Sequence, residues 1–234
     1  MSNLSTNWIN LVFIIDESGS MSGSETDVVG GFNKTIEEQK ANKDGKVTVS
    51  LYTFASDVKQ LYLGKDINEI DEFRYRPSGM TRLNDGVGRA IDEVGEWLYK
   101  KDKNGEEMPA KTLVIVMTDG AENSSTEYSL KQIQDKIKEQ TEKYNWEFIY
   151  QGVDITSTKA ADSMGFKFKT YSSRSKLTNN YDVVNLATTA YRKMAASGAD
   201  FKASSLSFCE TLEEASMKNT KDYENELGRK LSTD

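Results

Sequence analysis

Two almost entirely apolar runs, each ending at or beside an aspartate, constrain the fold of this chain more than any other feature. The first run covers Asn10–Asp16, and the second covers Thr112–Thr118 and is followed directly by Asp119. Short apolar runs of this kind are typical of strands that are buried on both faces of a parallel sheet. In an open parallel sheet, ligands bind beyond the carboxyl ends of the strands. We therefore expect Asp16 and Asp119 to meet at one edge of a sheet, although they are far apart in sequence.

The rest of the chain alternates between helical and strand-like patterns. Apolar residues spaced three or four apart predict helices, and short apolar or alternating stretches predict strands. The predicted helices are Glu25–Lys43, about Asn84–Lys101, Tyr128–Lys143, Ser157–Met164 and Asn180–Ala196. The further predicted strands are Lys46–Phe54, Val58–Leu63, Trp146–Val153 and Phe166–Tyr171, of which the first two form a hairpin. The predicted fold class is α/β: a three-layer, doubly wound, mostly parallel sheet with one antiparallel edge strand and helices on both faces.

Composition excludes several functional classes. The 234 residues include no histidine and a single cysteine, Cys209. This excludes Ser-His-Asp and Cys-His catalysis, an imidazole zinc site and an internal disulfide. The formal net charge of −7 argues against a nucleic-acid surface, which is normally basic. No apolar run approaches the ~18 residues of a membrane span, and residues 1–7 lack the pattern of a signal peptide. We expect a cytoplasmic protein with neither nucleic-acid nor membrane partners.

One domain accounts for the patterned part of the chain, which is long enough to bury a full core. We expect an N-terminal tail at residues 1–8 and the domain itself at residues 9–198. Residues 199–234 are polar and weakly periodic, which predicts a C-terminal helical or flexible extension.

Five oxygen-bearing residues are candidate metal ligands. The loop after the first apolar run carries Asp16, Ser18 and Ser20, and two later loops carry Thr81 and Asp119. Carboxylate and hydroxyl oxygens on tight loops suit a small hard cation such as Mg²⁺, with Mn²⁺ and Ca²⁺ as alternatives. Taken singly, each residue could also have a purely structural role, since Asp and Ser often cap helices or turns. Their order on three loops favours the metal site.

The same five residues resemble the metal-ion-dependent adhesion site of the von Willebrand factor type A (vWA) domains, which consists of Asp-x-Ser-x-Ser, a distant Thr and a distant Asp. The segments Gly30–Asn33 and Glu37–Lys40 are similar to the first helix of many stand-alone bacterial and phage members. The resemblance covers roughly residues 9–195. It implies a Rossmann-like fold and a metal whose direct ligands are mostly hydroxyls. In this family the two aspartates often act through water.

The resemblance implies a non-enzymatic module that binds a protein partner through the metal. Mostly uncharged ligands leave the cation strongly positive, with a replaceable water, and an Asp or Glu of the partner takes the place of that water. Intracellular bacterial and phage relatives often work beside AAA+ ATPases or in larger assemblies. The resemblance therefore implies partners of these kinds, in the cytoplasm or in a virion if the chain is phage-encoded.

Two other functions stay open at this point. A structural or assembly component would use the metal only for stability. A Mg²⁺-dependent phosphotransferase of the haloacid dehalogenase-like type also carries an aspartate at a strand end. Such enzymes use Asp-x-Asp, however, and here the second carboxylate position is Ser18. The chain contains no Gly-x-Ser-x-Gly, Walker A or Gly-x-Gly-x-x-Gly motif.

Three neighbours of the candidate ligands have more ordinary predicted roles. Asp85 is predicted to cap the second helix rather than to bind metal. Glu17 occupies the variable position of the Asp-x-Ser-x-Ser motif, and Arg82 is predicted to be a solvated arginine near the rim. None of these residues removes a candidate ligand.

Overall fold

A computed structural model of the chain describes residues 4, 5, 7–120, 122–153, 157–172 and 178–197, together with single helical positions at 214, 218, 221 and 225. Apart from those four positions, the predicted C-terminal extension lies outside the described residues, as does Cys209. The first strand begins at Trp8, two residues before its predicted start at Asn10.

Strands and helices follow one another in the predicted order. The strands are β1 (Trp8–Asp16), β2 (Lys46–Phe54), β3 (Val58–Asp66), β4 (Lys111–Thr118), β5 (Glu147–Gly152) and β6 (Phe168–Tyr171). The helices are α1 (Glu25–Ala41), α2 (Leu83–Lys103), α3 (Leu130–Tyr144), α4 (Thr158–Met164) and α5 (Thr178–Ala196). Most bounds lie within three residues of the prediction. The C-cap residue of α4 is Gly165, whose φ of +80° is favourable for glycine.

The sheet is mostly parallel and carries one antiparallel edge strand. Its strand order is β3-β2-β1-β4-β5-β6. Among the strands that the structure describes, only β3 runs antiparallel to its neighbour, and β1 lies between β2 and β4 with parallel pairing on both sides. The predicted fold class is confirmed. The chain changes its winding direction between β1 and β4, and such a switch point is where open α/β sheets bind ligands.

Both faces of the sheet are covered by apolar layers. One layer packs α1, α5 and the segment after β3 against one face, and includes Leu11 and Phe13 of β1. The other packs α2, α3 and α4 against the opposite face, and includes Val12 and Ile14. Successive β1 residues therefore enter different cores. This is why the strand reads as a continuous apolar run rather than as an alternating one.

Candidate metal site

The loop after β1 brings the first three candidate ligands together. Asp16 ends the strand and is fully buried. Its Oδ1 accepts the Ser18 backbone N–H at 2.8 Å, and its Oδ2 accepts the Thr118 hydroxyl at 2.6 Å. The Ser18 hydroxyl is buried and lies 3.0 Å from the exposed Ser20 hydroxyl. A carboxylate and two hydroxyls therefore share one tight turn at the carboxyl edge of the sheet.

Burial raises the pKa of Asp16 to about 6. Hydrogen bonds from Ser18 and Thr118 act in the opposite direction, while the nearby charge of Asp119 raises the pKa further. The Coulomb interaction means that the two candidate aspartates lie close enough to repel one another, as expected for the ends of the adjacent strands β1 and β4. A cation bound close to Asp16 would favour the ionised form of its carboxylate.

The loop that carries Thr81 is hydrogen-bonded to the loop after β1. Glu17 is nine-tenths buried, its carbonyl accepts the Ser78 N–H at 2.8 Å, and its Oε1 accepts the Arg76 N–H at 2.9 Å. Two residues after Glu17, the Gly19 N–H donates to the Gly79 carbonyl at 3.1 Å. Glu17 therefore holds two ligand loops against each other. Its place in the variable position of the motif gave no signal of this role.

We expect Gly79→Ala to disturb this junction more than a glycine substitution elsewhere. Gly79 has φ +79°, and a Cβ there would lie 2.3 Å from Ser56 Oγ, which accepts the Met80 N–H at 3.0 Å. Gly105 has φ +71° with nothing within 4 Å of a Cβ, so Gly105→Ala is a matched control for backbone strain. In urea unfolding, the free energy of unfolding of the control should fall by about 1 kcal/mol. Gly79→Ala should lose about 2 kcal/mol more, because Ser56 must move. Equal losses would contradict this account.

The loop after β4 places Asp119 beside the Thr81 loop. The Thr81 N–H donates to Asn123 Oδ1 at 3.0 Å, and the Asn123 N–H donates to the Thr81 carbonyl at 3.2 Å. Glu122 accepts the Asn84 N–H at the start of α2, at 2.8 Å. Thr81 is buried and Asp119 half-buried. Reciprocal backbone and side-chain hydrogen bonds thus join the second and third ligand loops.

Asp85 joins the same two loops, and its predicted role as a cap of α2 is wrong. Its fully buried carboxylate accepts the backbone N–H groups of residues 126–128, each at 2.9 Å. These groups belong to the segment before α3, and the N-cap residue of α2, Arg82, makes no side-chain capping bond. The Arg82 guanidinium lies 3.7 Å from Asp85 and 4.0 Å from Glu127, so it is not the solvated rim residue that was expected.

The donor set fits a small divalent cation. Adjacent oxygens in an octahedron of radius ~2.1 Å lie about 3.0 Å apart. This is the separation of the Ser18 and Ser20 hydroxyls. Among the described residues, no group of three or more His, Cys, Asp or Glu side chains could hold a metal. The candidate site instead combines two aspartates with hydroxyls. The assignment of Asp16, Ser18, Ser20, Thr81 and Asp119 as ligands stays a prediction.

The model of the von Willebrand factor type A domain family matches residues 10–153. The chain therefore belongs to the vWA family, whose members often mediate metal-dependent protein interactions. In the part of the chain that the structure describes, no helix is both long and apolar enough to cross a membrane.

Several solved structures share the fold. One is proximal thread matrix protein 1 of the mussel byssus, with zinc in its metal-ion-dependent adhesion site (MIDAS) motif. It is 19% identical over 78% of this chain and 46% of that chain, with a TM-score of 0.54. The manganese-loaded TRAP protein of Plasmodium vivax is 19% identical over 74% of this chain and 72% of that chain, with a TM-score of 0.51. The pilus adhesin SpaC of Lactobacillus rhamnosus GG is 15% identical over 80% of this chain and 30% of that chain, with a TM-score of 0.58. The chain spans about half the length of the thread matrix protein. At these identities the likeness shows the fold alone.

Proposed function

We propose that this chain is a non-enzymatic, divalent-metal-dependent protein-binding domain. Ser18, Ser20 and Thr81 supply hydroxyl oxygens, and Asp16 and Asp119 bind the metal directly or through water. The metal supplies an electrophilic position that an Asp or Glu of the partner occupies. The observation that carries the proposal is the Ser18–Ser20 hydroxyl pair at 3.0 Å beside a buried Asp16, at the edge of the sheet where the winding direction changes.

Mg²⁺ is the metal we propose, with Mn²⁺ and Ca²⁺ as the alternatives. Hard oxygen donors without imidazole or thiolate suit these cations better than zinc. A manganese-loaded structure and a zinc-occupied one among the similar folds support a divalent ion in a site of this type. The three loops that carry the proposed ligands are joined by hydrogen bonds that involve neighbouring residues, so a metal would add to loops that are already held together.

The wider setting also belongs to the proposal. We take residues 9–198 as the binding domain, supported by continuous packing from β1 to α5, and residues 199–234 as an extension. A stand-alone domain of the bacterial or phage type would act in the cytoplasm or a virion. Its partner would be an AAA+ ATPase or an assembly component that presents an acidic residue. The sequence pattern of α1 supports this setting.

A capture experiment tests the proposal. Immobilised wild-type protein and Asp16→Ala are each incubated with lysate of the source cells, once with Mg²⁺ and once with EDTA. We expect at least one protein to be retained only by wild type with Mg²⁺, and its binding to survive purification of both components. If calorimetry shows bound metal while no capture depends on it, the site is structural and the protein belongs with assembly components. Hydrolysis of a phosphate ester by purified wild type, lost in Asp16→Ala, would instead indicate a phosphotransferase.

A further inference from the structure

Two arginines next to the proposed metal site are exposed, while the aromatic residues that alternate with them are buried. Phe73 and Tyr75 are 5% and 7% exposed, and Arg74 and Arg76 lie in the exposed class. The Phe73 ring meets the Phe32 ring of α1 edge-on, with centroids 5.0 Å apart. This alternation is typical of an extended segment with one face in the core. The two arginines therefore leave the backbone on the solvent side, about 7 Å apart.

This short segment is attached to the loop that carries the proposed ligands. The Tyr75 hydroxyl donates to the carbonyl oxygen of Asp16 at 2.5 Å. The Arg76 N–H donates to Glu17 Oε1 at 2.9 Å. Arg76 therefore lies beside the residues that follow β1, and its position is determined by the same hydrogen bonds that hold the Thr81 loop. A partner segment that reaches the metal would pass close to its guanidinium.

The charge of these arginines is not neutralised by the part of the chain that the structure describes. The other basic residues of this edge, Lys59 and Arg82, lie 3.3 and 3.7 Å from carboxylates. Arg74 and Arg76 form no ion pair with any described residue, although Glu72 is exposed two positions earlier. In a chain of net charge −7, two unneutralised guanidinium groups form a local basic surface. Such a surface attracts acidic partners and excludes basic ones.

We propose that Arg74 and Arg76 bind two acidic residues that lie on one side of the metal-bridging carboxylate in the partner sequence. This inference rests on the proposed function, because it requires that one carboxylate of the partner binds the metal. In an extended peptide, every second side chain lies on one face, about 7 Å from the next. Carboxylates at two-residue spacing therefore match the spacing of the two arginines. Guanidinium groups pair with carboxylates through two parallel hydrogen bonds, which gives the contact geometric specificity. The partner segment is thus extended and carries several acids at alternate positions.

Two synthetic peptides provide the test. The first has three aspartates separated by single serines, and the second keeps one aspartate and replaces the others by asparagine. Binding is measured by fluorescence anisotropy with Mg²⁺ and with EDTA. The proteins are wild type, Arg74→Gln/Arg76→Gln, and a control, Lys138→Gln/Lys143→Gln, which makes the same charge change on exposed residues of α3. Metal binding by each protein is checked by calorimetry.

We expect wild type with Mg²⁺ to bind the three-aspartate peptide about tenfold more tightly than the single-aspartate peptide. The arginine variant should lose this preference. Its affinity for the single-aspartate peptide should change less than about twofold, and its metal affinity should be unchanged. The lysine control should behave like wild type, because its altered charges lie away from the site.

The outcomes separate this inference from the proposed function. If the arginine variant keeps the tenfold preference while EDTA abolishes binding, the arginine contacts are wrong and the metal-bridged function stands. If the peptides bind at full strength in EDTA and to Asp16→Ala, the metal bridge is wrong. If neither peptide binds metal-loaded protein at millimolar concentration, both proposals are overturned.

Discussion

Asp16→Ala should weaken Mg²⁺ binding by at least about 100-fold while the domain remains folded. The carboxylate ends β1 and is fully buried, and burial raises its pKa to about 6, so the ionised form is costly without a cation nearby. Removing it deletes one of the two carboxylates that are proposed to bind the metal. The loss of its two hydrogen bonds, to the Ser18 N–H and the Thr118 hydroxyl, is offset in part because a buried charge is also removed. Titration calorimetry with MgCl₂ measures the affinity, and urea unfolding in EDTA measures the stability.

Two further variants make the Asp16 experiment specific. Asp16→Asn keeps the size of the side chain and an oxygen acceptor, and we expect it to lose metal affinity like Asp16→Ala while it retains more of the stability of wild type. Asp57→Ala removes an exposed carboxylate from the turn between β2 and β3, near the end of β2, and should leave metal affinity within about twofold. Wild type should gain about 2.7 kcal/mol of stability at a Mg²⁺ concentration 100 times its Kd, and Asp16→Ala should gain less than about 0.5 kcal/mol at the same concentration. If Asp16→Ala binds Mg²⁺ as tightly as wild type, the site is assigned wrongly.

Asp85→Ala should produce the largest loss of stability among the substitutions proposed, about 3–5 kcal/mol by urea unfolding in EDTA. The Asp85 carboxylate accepts three backbone N–H groups from residues 126–128 and lies 3.7 Å from the Arg82 guanidinium. Without this buried carboxylate, three backbone donors lose their acceptor, and the Arg82 guanidinium keeps only its more distant contact with Glu127. Because these contacts join the start of α2 to the loop that follows Asp119, metal affinity should fall together with stability.

Asp92→Ala is the matched control for this experiment. Asp92 lies on the same helix, at an exposed position, where it accepts the Tyr128 hydroxyl and pairs with Lys136. A surface pair of this kind contributes little, so the substitution should cost less than about 1 kcal/mol and leave metal binding unchanged. If Asp85→Ala and Asp92→Ala were equally stable, Asp85 would not hold the two loops together.

Most of the fold was predictable because its signals are local. The continuous apolar runs of β1 and β4 indicate strands that are buried on both faces, and the apolar spacing in α2, with Val87, Ile91 and Val94 buried, indicates a helix with one covered face. Element ends were less accurate. The predicted end of the third strand at Leu63 falls three residues short, because the pairing of β3 with β2 continues to Asp66.

The roles of residues around the candidate site could not be predicted in the same way. Glu17, Asp85 and Asn123 each bind a loop that is about 40 or more residues away in sequence. Glu17 occupies a position that the motif leaves open, and an acid in the first turn of a helix ordinarily indicates a cap, as was predicted for Asp85. A hydrogen bond between distant loops has no periodicity, so no local pattern reports it.

Hydrophobic periodicity and ligand chemistry are properties of neighbouring residues. The sequence alone therefore determined the α/β class and the strand-end positions of Asp16 and Asp119. It also determined that the candidate ligands carry oxygen donors and that no histidine is available to bind a metal. Only the tertiary structure decided how the three loops are held together, and that Arg74 and Arg76 are exposed beside them. Those features depend on which distant backbone groups meet after the sheet has closed, and the free energy of such contacts exists only in the packed molecule.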